Sequence, residues 1–124
     1  MAHLLIIDDD EGTCELIGTA VAGQGHTFDA APDGAKGWAL AQKKRHDLII
    51  VDRTLPGMSG LQFVGRVRRD PRLQKRRIIM CTGSDMSDEV TEAFKAGVND
   101  YVLKPIDLDK FLAKIAKVLG QPGA

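Results

Sequence analysis

Residues 47–60 read Asp-Leu-Ile-Ile-Val-Asp-Arg-Thr-Leu-Pro-Gly-Met-Ser-Gly, four apolar residues in a row, then an acid, then turn-forming residues. Leu48 to Val51 has the length and composition of a strand buried on both faces, the kind found in parallel sheets. Pro56 and Gly57 suit the central positions of a type II turn, so a loop is expected between Asp52 and Gly60. Three other apolar runs end in a comparable way. Leu4 to Ile7 runs into Asp8, Asp9 and Asp10, Ile78 to Cys81 into Thr82, and Tyr101 to Leu103 into Lys104. In an open parallel α/β sheet, ligands bind outside the carboxyl ends of the strands, so these groups are expected to face one pocket.

Segments of helical period alternate with the strands, which argues for five βα units. After the acidic cluster, Cys14, Ile17, Ala20 and Val21 keep helical spacing, and Gly23 and Gly25 supply a stop. A weaker second strand is expected over Thr27 to Ala31. The turn at Pro32, Asp33 and Gly34 opens a second helix, whose apolar side is expected to include Ala35, Trp38, Ala39 and Ala41. Leu61, Val64 and Val67 mark a third helix that ends before Pro71, because the residue preceding a proline disfavours helix. Ser87 is expected to cap a fourth helix carrying Asp88 and Glu89 in its first turn, with Gly97 closing it. The last helix begins near Asp107 and buries a stripe including Leu108, Phe111, Leu112 and Ile115.

A chain of 124 residues is expected to form one domain, here over residues 1–124 with an ordered core at about 3–119 and no output domain. The 17 basic and 17 acidic side chains cancel, so charge balance suggests neither a nucleic acid nor a membrane partner. The apolar runs fall far short of the ~20 residues a membrane helix needs, and the cytoplasm is the expected compartment. Cys14 and Cys81 lack metal-ligand spacing and are expected to be unpaired small hydrophobes.

Adjacent carboxylates are costly to hold together unless a cation neutralises them, and hard oxygen ligands suit Mg²⁺. The acidic run is also readable as a solvated turn in which Asp10 caps the first helix. Asp52 favours the metal reading, because a third strand lying beside the first brings a third carboxylate to the same place. A carboxylate can be a nucleophile and form an acyl phosphate, provided a metal and donors neutralise the incoming oxygens. Asp52 is the candidate nucleophile. Thr82 offers a hydroxyl donor, and Lys104 offers an ammonium that can pair with Asp52 or grip a phosphoryl oxygen.

The motifs LLIIDDD, DLIIVDRTLPGMSG, IIMCTGS and NDYVLKP occur in that order, and with them the chain resembles the receiver domains of two-component response regulators over essentially its whole length. The resemblance, to a stand-alone, chemotaxis-regulator-like receiver, implies a flavodoxin-like (βα)5 three-layer sandwich with a five-stranded parallel sheet of order 2-1-3-4-5. It implies a phosphorylation-dependent switch in which Asp52 accepts phosphate from a sensor histidine kinase or phosphotransfer protein. Asp9 would bind Mg²⁺ directly, Asp8 mainly through a water, and Thr54 through its backbone carbonyl, with Asp52 completing the metal set. Thr82 would move toward the phosphoryl group, Lys104 would bind another of its oxygens, and Tyr101 would report the change to a downstream protein or output domain. The same similarity implies a regulatory domain, not an enzyme with an external substrate, with autophosphorylation and autodephosphorylation as its own chemistry. It also admits a cis Lys104-Pro105 bond. Ser59 stands where many receivers carry an acid, and Arg53, Thr54 and Ser84 occupy places that tune phosphoryl lifetime.

Two other functions compete. One is a phosphate-independent scaffold with the same fold. The other is a haloacid-dehalogenase-like phosphohydrolase using Asp8 and Asp10, although the motif spacing is off by one residue. The basic stretch of Arg66, Arg68, Arg69, Arg72, Lys75, Arg76 and Arg77 lacks interleaved aromatics and reads as a solvated helix end and loop, not a nucleic acid site. His3, His26 and His46 lie far apart in sequence, and no histidine metal cluster is expected.

Overall fold

The computed structural model describes residues 1–83 and 86–121. Five strands, β1 (His3–Ile7), β2 (Thr27–Ala31), β3 (Leu48–Val51), β4 (Arg77–Thr82) and β5 (Asp100–Leu103), alternate with five helices, α1 (Glu11–Gly23), α2 (Gly34–Lys43), α3 (Gly60–Arg69), α4 (Ser87–Ala96) and α5 (Leu108–Leu119). All pairings are parallel and the strand order is 2-1-3-4-5. The flavodoxin-like architecture expected from the sequence is therefore the observed one.

The apolar runs are continuous because alternate residues serve opposite layers. Leu5, Ile7, Ile49, Val51, Ile78 and Met80 face Trp38, Phe63, Val64 and Val67. Their neighbours Leu4, Ile6, Leu48, Ile50 and Ile79 face Ile17 and Val21 of α1 and Phe111, Ile115 and Val118 of α5. Strand order reverses between β1 and β3, where Leu4 to Ile7 pair with Leu48 to Val51. That is the switch point at which such sheets bind ligands.

Several local expectations are corrected. On α2, Ala35 and Ala39 face solvent, and the buried side is Gly34, Gly37, Trp38 and Ala41. A Cβ at Gly37 would lie 2.5 Å from Cδ1 of Ile7, so a glycine occupies the inward position as α2 packs closely on β1. Ser87 is the first residue of α4 and not its cap; Met86 holds the cap position without a side-chain bond. Asp88 and Glu89 do occupy the first turn, and Gly97 closes the helix with φ 117°. Gly57 has φ 77°, as the second central residue of a type II turn requires.

The basic stretch is only partly a solvated surface. Arg68 donates to the carbonyls of Gly97, Gln74 and Arg76 and to Oδ1 of Asn99, joining α3 to the segments entering β4 and β5. Arg77 donates to the carbonyl of Gln121. Arg66 lies over the Trp38 ring, 4.1 Å from its centroid.

The histidines are corrected too, because folding brings two of them together. His3 and His46 each place Nε2 2.9 Å from Oδ2 of Asp29. Burial alone would raise the Asp29 carboxyl, but hydrogen bonds from His46 and His3 outweigh it and hold Asp29 down to about 2. Burial pushes the His46 imidazole below its ordinary range.

Both cysteines are free. Burial pushes the Cys14 thiol up to about 11 and the Cys81 thiol up to about 12. The thiolate is the reactive form, so at pH 8 Cys14 is about a hundredfold less ionised than an ordinary thiol. Native protein is expected to react with a disulfide reagent at pH 8 about a hundredfold more slowly than the urea-unfolded chain. A fast thiol in the native protein would contradict this packing.

Candidate functional site

The site is built by the last residues of β1, β3, β4 and β5 and the loops that follow. Beyond Ile7, the Asp8 amide donates to the Ala31 carbonyl; beyond Val51, the Asp52 amide donates to the Ile7 carbonyl. Both acids are thus fixed by extensions of the sheet ladder, and both are buried, Asp8 at 4% and Asp52 at 8% exposure. Asp9, one residue on, faces solvent. Carboxylate oxygens of Asp8, Asp9 and Asp52 lie within 4.8 Å of one another.

Lys104 reaches this group from the carboxyl end of β5. Its Nζ lies 2.8 Å from Oδ2 of Asp8 and 2.9 Å from Oδ2 of Asp52. One ammonium therefore faces two buried carboxylates while a third stands nearby. Burial pushes the Asp8 carboxyl above its usual range, although the Lys104 hydrogen bond and the Asp10 amide oppose it. Burial would also lower the Lys104 ammonium, but its bonds to Asp8 and Asp52 outweigh that and hold it above its ordinary value. Lys104 is thus a fixed cation, and the pocket keeps a surplus of negative charge. The Lys104-Pro105 bond is cis.

The remaining predicted residues fall around this centre. The Thr54 amide donates to Oδ1 of Asp52 at 3.2 Å. Thr82 is buried at the end of β4, and the Lys104 amide donates to its carbonyl. Tyr101 is also buried, opposite Met80 in the register. With a period of two along β4, Thr82 shares its face with Met80, and hence with Tyr101. Asp10 belongs to the helix: its Oδ1 accepts from the Thr13 amide as the cap of α1. Ser84 lies outside the described residues.

Arg53 has a role that sequence reasoning missed. Its guanidinium donates to the Glu89 carbonyl at 3.0 Å and to the Glu92 carboxylate, tying the residue after Asp52 to α4. Only the distance in sequence between Arg53 and Glu92 hid this; the pairing of opposite charges was present in both.

Together these features define a flavodoxin-like α/β domain with an acidic, lysine-braced pocket at its switch point. The chain belongs to the response regulator receiver domain family, whose model matches residues 4–116. It is 33% identical to the chemotaxis protein CheY of Pseudomonas aeruginosa, over 93% of this chain and 94% of that one. It is 34% identical to the DNA-binding dual master transcriptional regulator RpaA of Synechocystis, over 96% of this chain and 49% of that protein. The chain spans about half the length of the first curated relatives it matches. Among solved structures, the chemotaxis response regulator CheY4 of Vibrio cholerae superposes with a TM-score of 0.90 at 29% identity, covering 95% of this chain and 98% of that one. A two-component response regulator from Clostridium difficile shares the fold with a TM-score of 0.92 at 22% identity, covering 100% of both chains.

Receiver domains are regulatory, and they typically bind Mg²⁺ at an acidic pocket. They interact with histidine kinases or phosphotransfer proteins and with output domains. No helix among the described residues is long and apolar enough to cross a membrane.

Proposed function

We propose that this chain is a phosphorylation switch in which Asp52 accepts a phosphoryl group from a histidine kinase or phosphotransfer protein. The observation that carries the reading is Lys104 bridging Asp8 and Asp52 beside a third carboxylate. Oδ2 of Asp52 is committed to Lys104, whereas among the described residues Oδ1 holds only the longer bond from Thr54. Oδ1 is therefore the attacking oxygen. Its bond to phosphorus forms as the phosphorus–nitrogen bond of a phosphohistidine breaks, and the electron pair of that bond returns to the imidazole. Once it is an acyl phosphate, the Asp52 carboxyl no longer carries the charge that held Lys104, which turns to a phosphoryl oxygen.

The donor set fits Mg²⁺, since Asp8, Asp9 and Asp52 offer clustered hard oxygens with surplus negative charge. Those three residues and the Thr54 carbonyl would hold it, and when bound it supplies neutralisation of the phosphoryl oxygens. Thr82 donates its hydroxyl to the group and Tyr101 follows on the shared face. This couples the new charge to α4 and β5, where Phe94 and Leu103 stand exposed at 46% and 45% beside a groove lined by Val90, Tyr101, Pro105 and Phe111. That groove is the proposed face for a downstream protein or output domain.

Incubating the chain with a small acyl phosphate and Mg²⁺ is expected to add one phosphoryl group, read by intact mass, and chelating the metal is expected to suppress the addition. No addition under either condition would reject the switch and favour a phosphate-independent scaffold.

A further inference from the structure

His3 opens β1, Asp29 lies within β2 and His46 precedes β3, and the three meet on the α2 side of the sheet. The imidazole rings stack at 4.9 Å with 19° between their planes, so both Nε2 atoms address the same Asp29 oxygen. We propose that His3, Asp29 and His46 form a second metal site, for a borderline divalent transition ion such as Zn²⁺. It is separate from the acidic pocket: five residues of strand place His3 about 16 Å from Asp8.

The donor set selects the metal class. Two imidazoles and one carboxylate suit Zn²⁺ and its transition-metal neighbours, whereas Mg²⁺ takes oxygen ligands. The spacing suits it as well. Bonds of about 2.0–2.1 Å in a tetrahedral site hold ligand atoms about 3.3 Å apart. The two nitrogen to Oδ2 separations are 2.9 Å, and all three ligand atoms lie within 4.8 Å of one another. For each nitrogen–oxygen pair, an ion replacing the N–H hydrogen thus needs a parting of only a few tenths of an ångström.

Proton positions are compatible with ligation. With Nε2 on the metal, each imidazole carries its proton on Nδ1. For His3 that atom lies 2.6 Å from Oγ1 of Thr27, which then accepts from it and fixes the ring. Nδ1 of His46 is buried and engages no group among the described residues, so that ring takes the Nδ1–H tautomer at the cost of an unpaired buried donor. Access is one-sided: the His46 side chain is 1% exposed, Asp29 19% and His3 26%. A solvent ligand has room on the His3 side. Lys44, 3.5 Å from Oδ1 of Asp29, is the competing cation, and at 56% exposure it is free to swing away.

The test is a titration of the full chain with ZnCl₂ in excess Mg²⁺, with Co²⁺ as an optical probe. The expected result is one Zn²⁺ per chain, a raised thermal midpoint, and the intense visible band of four-coordinate Co²⁺. His3→Asn, at a partly exposed strand end that keeps the fold, weakens binding at least about tenfold, and Lys44→Gln tightens it severalfold. Absence of heat and of the cobalt band would overturn the proposal. So would Zn²⁺ binding that survives His3→Asn and Asp29→Asn but disappears in Asp9→Ala, since the ion would then occupy the acidic pocket.

Discussion

Asp52→Asn is expected to abolish phosphoryl uptake from a small donor while leaving the chain folded. The amide keeps the size of the carboxylate but has no anionic oxygen to attack phosphorus. Nor should folding suffer. Lys104 retains its 2.8 Å bond to Asp8, and the variant removes one of the three carboxylates that crowd the pocket. Stability in urea is therefore expected to stay within about 1 kcal/mol of the parent or to rise, because a charge surplus kept for function is relieved. Intact mass after exposure to donor and Mg²⁺, with a urea melt on the same sample, separates loss of chemistry from loss of structure. A phosphoryl adduct on the folded variant would move the acceptor role elsewhere.

The second large effect is structural and lies eight residues further on. A Cβ at Gly60 would stand 2.1 Å from the Asp52 carbonyl oxygen and 2.8 Å from Cα of Arg53, both backbone atoms. Gly60 also donates its amide to the Arg53 carbonyl at 2.8 Å, so the start of α3 is pressed against the acceptor loop. Neither side has a rotamer with which to escape. Gly60→Ala is therefore expected to cost about 3 kcal/mol, lowering the urea midpoint by about 2 M, and to slow phosphorylation by displacing Asp52. Gly18→Ala is the control. Its Cβ would meet the Phe28 ring at 2.3 Å, but that ring is 38% exposed and can turn outward. A loss of about 1 kcal/mol or less is expected there. Equal losses at the two sites would refute the backbone argument.

The strands and the pocket were legible for one physical reason. Parallel strands buried on both faces must be continuous apolar runs, so their ends are visible, and a switch-point site collects the residues at those ends. Asp8, Asp52, Thr82 and Lys104 were all named by that rule, and the register places them at the carboxyl edge. What the sequence hid depended on packing or on contacts across elements. The inward face of α2 was misjudged because Gly34 and Gly37 carry no apolar side chain to reveal it, although close packing on β1 demands small residues. Ser87 looked like a cap, yet the helix starts one residue earlier in its place. His3, Asp29 and His46 come from β1, β2 and the segment before β3 with no common spacing, and only the pairing of β1 with both β2 and β3 brings them together. The links from Arg53 to α4 and from Arg68 to Gly97 are long side chains crossing between elements, which periodicity does not encode.

The claim on which the rest depends is that Asp52 is the phosphoryl acceptor. Its most direct test is to phosphorylate the chain with a small donor and Mg²⁺, reduce the acyl phosphate with borohydride, and locate the reduced residue by peptide mass mapping. Reduction at Asp52 alone is the predicted result. Reduction at Asp8 or Asp9, with Asp52 intact, would contradict it.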